Sequence, residues 1–266
     1  MPRWLNVGCG PQGSGLRPPG FQSPAGLAPT EDRLFCRSLP ASDGPQTTKV
    51  QSPAGLAPTK NPFLVGACPA SDETLEFPAV LAPTGEGDGW TEVRLDADPA
   101  VQPDILAPAH DLSALQDGCM DAVFSSHCIE HLYLDQAVPA LREWRRVLRP
   151  DGFLLLVCPV LQAAAEMVAQ DRLFDVAYAG IRPYDIIFSH QGLVAQGRAQ
   201  GHSFMEHKSG YTLSTLRQLV SEAGFAVHAG MRLRQRFELW LIASVQERSE
   251  PEMRALAQQH FLWPTP

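Results

Sequence analysis

Residues 3–10 read Arg3-Trp-Leu-Asn-Val-Gly-Cys-Gly10, a short apolar run that ends at two glycines. The run predicts a buried strand, and the glycines predict a turn directly after it. Glycine carries no side chain, so the backbone of such a turn can approach a ligand closely. In open α/β sheets, nucleotide-like cofactors bind at the carboxyl end of a first strand of this kind.

The same turn formally satisfies a dinucleotide-binding fingerprint. Gly8-Cys-Gly-Pro-Gln-Gly13 fits the pattern G-x-G-x-x-G, but that motif has to open a helix whose N-terminus holds the pyrophosphate. Here Ser14-Gly-Leu-Arg-Pro-Pro-Gly20 follows, and its prolines and glycines predict no helix. The context therefore disfavours an NAD site.

Residues 11–88 differ from the rest of the chain in composition. Thirteen of the 24 prolines lie there, and Gln22–Thr30 recurs unchanged as Gln51–Thr59, 29 residues later. Frequent proline prevents both helix and central-strand formation. We interpret this stretch as a Pro-rich surface insertion, extended or disordered, that adds little to the core.

Regular patterning resumes at Trp90, where strands and helices begin to alternate. This alternation predicts an α/β doubly wound parallel sheet, with residues 178–211 irregular. The predicted strands are Thr91–Leu95, 104–106, Asp121–Ser126, Phe153–Cys158, Phe225–Arg232 and Phe237–Val245, and the predicted helices are Leu134–Leu148, 160–171 and Thr212–Ala223.

Acidic residues follow two of these strands. Asp96 ends the Thr91 strand, where a carboxylate can accept hydrogen bonds from a ribose diol, although it could equally open the turn before Pro99. Asp111, with Leu112 beside it, precedes the Asp121 strand. This pair could contact an adenine edge, or Asp111 could serve as a helix N-cap.

A third cluster, Ser125-Ser-His-Cys-Ile-Glu-His131, follows the Asp121 strand. His127-x-x-Glu130-His131 spells the inverted zinc-peptidase motif, which needs both histidines on one turn of a regular helix and a further ligand. Because His127 directly follows a buried strand, zinc peptidase is only a minor alternative. We expect the histidines to pack at the sheet edge, and we assign no metal ligand.

Composition narrows the function classes. The 266 residues carry a net charge of −8, which argues against nucleic acid or an anionic membrane surface as partner. Six scattered cysteines form no Cys-x-x-Cys pair, and no long apolar run is present. These absences favour a cytoplasmic protein. The sequence defines no oligomeric state.

Four blocks stand in order along the chain: Leu-Asn-Val-Gly-Cys-Gly10, Val-Arg-Leu-Asp-Ala-Asp-Pro99, Asp121–Leu132 and Glu143–Gly152. Together they resemble the motifs of class I S-adenosylmethionine-dependent methyltransferases, and most of all the predicted type 11 group. The resemblance implies a Rossmann-like, mostly parallel seven-stranded sheet with an antiparallel last strand. It also implies a methyltransferase domain over 1–10 and 89–248, with 11–88 inserted and 249–266 as a C-terminal tail.

The resemblance also implies roles for single residues toward S-adenosylmethionine. Gly8 and Gly10 would line its methionine part, Asp96 the ribose hydroxyls, and Asp111 with Leu112 the adenine. Ser126 would also contact the cofactor, and His127 would lie near the sulfonium. Two features depart from the family pattern: Asn6 stands where an acidic residue is common, and the insertion replaces the helix that usually follows the glycine turn.

Methyl transfer from a sulfonium is an in-line displacement that requires alignment and a dry site, and no metal. A hydroxyl or amine acceptor also benefits from a general base. His127 is our first candidate, followed by His207 and His131; Asp185, His190 and Tyr211 are weaker. We expect a small-molecule or glycan acceptor. The alternative is a non-catalytic cofactor-binding or scaffold protein with the same fold.

Overall fold

The structure is a computed structural model that describes residues 2–8, 34–37, 91–177, 180–233 and 236–260. Gly10 and almost all of the 11–88 insertion lie outside these described residues. Within the part of the chain that is described, no helix combines the length and the hydropathy needed to cross a membrane.

A single mixed sheet organises the molecule, with strand order β2-β7-β8-β6-β5-β1-β3-β4. Its strands are β1 (Arg3–Val7), β2 (Leu34–Arg37), β3 (Thr91–Asp96), β4 (Ile105–Leu106), β5 (Met120–Ser126), β6 (Leu148–Pro159), β7 (Val227–Leu233) and β8 (Glu238–Ser244).

Six strands run in the same direction, and β8 lies between β6 and β7 in the opposite sense. This confirms the expected Rossmann-like, mostly parallel sheet with an antiparallel last strand. One strand was not expected. β2 comes from inside the Pro-rich insertion and pairs antiparallel with the outer edge of β7.

Helices pack on both faces of the sheet. They are α1 (Leu134–Val147), α2 (Leu161–Val168), α3 (Pro183–Phe188), α4 (Gln191–Ala199), α5 (Leu213–Glu222) and α6 (Glu250–His260), with short 3-10 turns at Pro99–Val101 and Ile129–His131.

The prediction that 178–211 is irregular is wrong, because α3 and α4 lie inside it. α3 begins with Pro183, and the Arg182 N–H donates to the Asp185 carboxylate at 3.0 Å; both features stabilise a helix start. α4 contains two glycines, which obscure its helical pattern in the sequence. One of them, Gly197, packs closely against the His202 ring.

The core has two parts, one on each face of the sheet. The larger lies beneath α1, α2 and α5 and includes Leu5, Leu141 and Trp144. The smaller lies beneath α6 and includes Trp4 and Trp240. The segment that we describe as a C-terminal tail thus begins with a helix, α6, whose Met253 and Ala257 are buried in this second core.

Candidate functional site

The carboxyl ends of the central parallel strands meet at one edge of the sheet. Val7 pairs with Leu95 and with Ser125, so Gly8, Asp96 and Ser126 follow side by side. Because β8 is antiparallel, its first residue Glu238 pairs with Pro159 at the end of β6. The sheet therefore brings a backbone turn and several polar side chains to one edge.

Gly8 opens this edge with a backbone that only glycine adopts easily. Its φ is +75°, and its N–H donates to the Leu95 carbonyl at 2.9 Å. A Cβ placed here would lie 2.8 Å from both Cβ and Sγ of Cys128. The glycine is required by the close approach of the turn after β1 to the turn after β5.

Asn6 has a partner that its sequence position did not reveal. It is 4% exposed, and its Nδ2 donates to Oε1 of Glu92 on the neighbouring strand β3 at 2.9 Å. An aspartate at this position would place a carboxylate against the Glu92 carboxylate. The departure from the family's acidic residue is thus matched by an acidic residue next to it.

The proposed ribose and adenine residues lie in different local settings. Asp96 is partly exposed, and its Oδ1 accepts the Asp98 N–H at 2.8 Å. Asp111 is exposed, and its carboxylate accepts the Ser113 N–H. Hydrogen bonds from the side chain and backbone of Ser113 lower the pKa of Asp111. Leu112 is fully buried, and its N–H donates to Glu143 Oε2 at 3.2 Å.

His127 is held between two carboxylates. Its Nδ1 lies 3.3 Å from Glu130 Oε1, and its Nε2 lies 3.9 Å from Glu238 Oε1. Burial alone would lower the pKa of His127, but the adjacent Glu130 and Glu238 carboxylates outweigh it and raise the pKa to about 10. The backbone φ of His127 is +49°, a strained value for histidine that recurs at functional sites.

Glu130 lies at the centre of this group. It is 1% exposed, and among the described residues neither carboxylate oxygen has a hydrogen bond of good geometry. Burial tends to raise the pKa of Glu130, but His127, together with His131 and His207, lowers it overall. Glu130 is therefore a buried, ionised carboxylate surrounded by imidazoles.

Two further histidines complete the cluster. The His131 and His207 ring centroids are 5.0 Å apart, and one donor atom from each of Glu130, His131 and His207 lies within 4.8 Å of the other two. Burial lowers the pKa of His131, although Glu130 opposes this effect. Because its pKa is lowered, the His131 imidazole is neutral at pH 7.

Backbone contacts fix the cluster in place. The Lys208 and Ser209 N–H groups both donate to the Glu130 carbonyl, at 2.8 and 3.1 Å. Lys208 Nζ donates to the His131 carbonyl at 3.2 Å. The segment that carries His207 is thereby tied to the Ile129–His131 turn.

Other sequence candidates have structural partners or lie elsewhere. Asp185 forms an ion pair with Arg182 at 2.8 Å at the start of α3. The Tyr211 hydroxyl is buried and donates to the Ile129 carbonyl at 3.3 Å, and burial raises the pKa of Tyr211 to about 12. His190 is exposed. Gly10 lies outside the described residues.

The zinc-peptidase interpretation needs a regular helix across His127-x-x-Glu130-His131. Ile129–His131 form a 3-10 turn instead, and His127 has a positive φ. The motif therefore lacks the helix that this chemistry requires. Sequence reasoning missed Glu238, because only the antiparallel pairing of β8 with β6 brings it to this edge.

A family model matches one part of the chain. Residues 89–156, 68 of the 266 residues, match a family model described as "Methyltransferase domain". This range contains β3, β4, β5, α1 and most of β6, and thus Asp96, His127 and Glu130. No curated protein sequence matches the chain.

Several solved structures match part of the chain at low identity. The CMeT domain of the citrinin polyketide synthase is 12% identical with a TM-score of 0.38, and the match covers 60% of this chain but only 40% of that one. A Thermotoga maritima methyltransferase, described as a possible histamine N-methyltransferase, is 12% identical with a TM-score of 0.35, and the match covers 57% of this chain and 72% of that one.

A third solved structure is the 1,6-didemethyltoxoflavin-N1-methyltransferase of Burkholderia thailandensis with S-adenosylhomocysteine bound. It is 16% identical with a TM-score of 0.36, and the match covers 59% of this chain and 61% of that one. Residues 89–156 thus match a methyltransferase domain, and the mostly parallel sheet with its reversed last strand has the Rossmann-like arrangement that the resemblance to class I methyltransferases implies.

Proposed function

We propose that this chain binds S-adenosylmethionine at the carboxyl edge of the sheet and methylates a hydroxyl or amine of a small molecule or glycan. The observation that carries the proposal is the pairing of the Gly8 turn with Asp96. These residues follow adjacent parallel strands, which is where open α/β sheets bind nucleotide-like ligands.

The residues present fit this cofactor at two points. Gly8 places bare backbone at the carboxyl edge of the sheet, where a ligand can approach it closely. Asp96 uses Oδ1 for the Asp98 N–H and remains partly exposed, so its carboxylate can also accept hydrogen bonds from a ribose diol. The Leu112 N–H donates to Glu143, so an adenine contact at this position would come from the exposed side of the Asp111 loop.

When bound, S-adenosylmethionine supplies a methyl group activated by a sulfonium. The protein has to align the acceptor with that methyl and hold or remove the acceptor's proton. Both His127 ring nitrogens face carboxylates, so His127 is better suited to ordering the site than to taking a proton. Activation of the acceptor then belongs to the Glu130, His131 and His207 cluster.

An aromatic surface beside the cluster supports a glycan or another ring-shaped acceptor. The Phe174 and Tyr184 ring centroids are 5.1 Å apart and stacked, and those of Tyr184 and Phe188 are 5.0 Å apart. Phe174 and Phe188 are more than half exposed. α3 connects this surface to the cluster, because the Ile186 carbonyl accepts from His207 Nδ1 at 2.8 Å.

Thermal shift with S-adenosylmethionine or S-adenosylhomocysteine tests the cofactor site. A ligand at 100 times its Kd that binds only the folded state adds about 2.7 kcal/mol of stability. Asp96→Asn keeps one oxygen for the Asp98 N–H but removes the charge and one acceptor, so we expect most of the shift to disappear.

Asp104→Asn is the matched control. Asp104 is exposed, accepts the Arg94 N–H and directly precedes the amino end of β4. The control should retain the full shift. Absence of any shift in the wild-type protein, or an equal shift in both variants, would contradict the proposed site.

A further inference from the structure

We propose that Glu130, His131 and His207 bind a divalent transition-metal ion that holds the acceptor oxygen. Ion binding itself is independent of the cofactor, but the use of the ion rests on the proposed methyl transfer. The proposal departs from our sequence-based expectation that no metal ligands are present.

The distances suit a single ion. One donor atom from each of the three side chains lies within 4.8 Å of the other two. Donors that share an ion lie roughly 3–4 Å apart, since each is about 2 Å from the metal. Small side-chain rotations would close the remaining gap.

The outer contacts of the histidines favour metal ligation. His131 Nδ1 lies 3.1 Å from the Glu206 carbonyl, and His207 Nδ1 lies 2.8 Å from the Ile186 carbonyl. A carbonyl only accepts, so each Nδ1 carries the proton and each Nε2 keeps its lone pair. Metal-binding histidines are usually oriented by this kind of contact to a carbonyl.

Glu130 provides an independent indication. Its carboxylate is almost completely buried, and neither oxygen has a hydrogen bond of good geometry among the described residues. On one side, Glu130 Oε1 lies 3.3 Å from His127 Nδ1. A buried carboxylate whose oxygens lack good hydrogen bonds is costly unless it coordinates a metal, and an ion held with His131 and His207 would meet that need.

The ligand set indicates the kind of ion and its use. Two imidazoles and one carboxylate suit Zn²⁺, Co²⁺, Fe²⁺ or Mn²⁺ better than Ca²⁺ or Mg²⁺. Three protein ligands leave at least one position open, as in catalytic sites, and His131 and His207 are only partly buried. An acceptor hydroxyl in the open position would be fixed in place and its pKa lowered.

Cobalt binding by the full-length, chelator-treated protein tests the site. We expect one Co²⁺ per chain with visible absorption, displaced by Zn²⁺. His131→Asn and His207→Asn keep a side-chain N–H for the carbonyl but remove the Nε2 ligand. Each should weaken cobalt binding on the order of 100-fold, while His190→Asn, an exposed histidine outside the cluster, should bind as the wild type does.

Thermal shift with S-adenosylhomocysteine on the same samples separates this proposal from the cofactor site. Cobalt binding without a cofactor shift would support the metal site and overturn the proposed function. A cofactor shift without cobalt binding by the wild-type protein would overturn the metal site alone. Unchanged cobalt affinity in both asparagine variants would also overturn it.

Discussion

At the scale of single residues, the turn after β1 is limited by space. Gly8 has a φ of +75°, and an added Cβ would lie 2.8 Å from the Cys128 side chain. We expect Gly8→Ala to lower the free energy of unfolding by about 2–4 kcal/mol, because left-handed strain and overpacking add. Urea unfolding measures this directly.

Gly118→Ala separates the two causes. Gly118 has a φ of +63°, but nothing lies within 4 Å of its added Cβ. This variant should therefore lose only the roughly 1 kcal/mol of backbone strain. Equal losses in the two variants would show that the contact with Cys128 does not constrain the turn.

Asn6 supports a second residue-level prediction. Its side-chain amide donates to Glu92 at 2.9 Å in a buried setting. Asn6→Asp would bring two carboxylates together, so we expect a loss of about 1–2 kcal/mol at pH 7 that shrinks as pH falls and one carboxylate becomes protonated. Urea unfolding at pH 7 and pH 5 measures both effects.

The double variant Asn6→Asp with Glu92→Gln is the control. A glutamine amide at position 92 can donate to the new aspartate, so the pair regains a hydrogen bond without like charges. Stability should return close to that of the wild type. A double variant as unstable as the single one would rule out repulsion as the cause.

Single residues were also where the sequence was least informative. Asp96 and His127 could be found because each follows a recognisable strand. The importance of Glu238 depends on β8 lying antiparallel to β6, which places its amino end at the site. No local pattern encodes that neighbour. The partnership of His131 with His207 likewise joins residues far apart in the chain.

At the scale of elements, α1 holds the Asp111 loop through one arginine. Arg146 makes two hydrogen bonds to Glu143, both 2.7 Å long, and one to Asp117. It also donates to the Leu112 and Leu115 carbonyls, each at 2.9 Å. The planar guanidinium thus ties the loop to the helix.

Arg146→Lys should release this loop, because lysine lacks the planar fork that makes these contacts together. We expect a loss of about 1–3 kcal/mol in urea unfolding, since two backbone carbonyls and two carboxylates lose a charged donor. The S-adenosylhomocysteine thermal shift should also shrink, if the Asp111 loop contacts the adenine.

Arg142→Lys is the comparison on the same helix. Arg142 is exposed, and its nearest described acid, Glu222, lies 4.0 Å away. Exposed pairs of this kind contribute little, so this variant should match the wild type in both measurements. Similar losses in the two variants would contradict the specific role of Arg146.

Elements were predictable where burial alone determines the pattern. β5 and β6 are apolar because both of their faces are covered, and α1 has a clear apolar side. α3 and α4 were missed because they are short, and α4 contains two glycines. α4 is stabilised by contacts such as that of Gly197 with the His202 ring, rather than by the helix propensity of its residues.

At the scale of the whole molecule, alternation of strands and helices predicted the doubly wound sheet. It could not predict β2, whose Leu34 pairs with Gly230 nearly two hundred residues later. Proline content correctly argues against a central strand, and β2 is indeed at an edge. Non-local pairing of four residues leaves no periodic signal.

Global stability should also depend on one buried histidine, His228. It is 2% exposed, and its Nε2 lies 2.9 Å from Ser221 Oγ. Burial, together with nearby Arg217, lowers the pKa of His228 to about 4. The folded state therefore holds His228 neutral, whereas the unfolded chain takes up a proton near the ordinary histidine pKa of about 6.5.

Between about pH 6.5 and pH 4 the unfolded state binds the extra proton, so stability is present above this range and lost as pH falls through it. The full effect is roughly 3 kcal/mol. His228→Gln keeps a polar group that can reach Ser221 but cannot titrate. Urea unfolding from pH 7 to pH 4 should show a steeper fall for the wild type, and parallel curves would show that His228 is not held neutral by the fold.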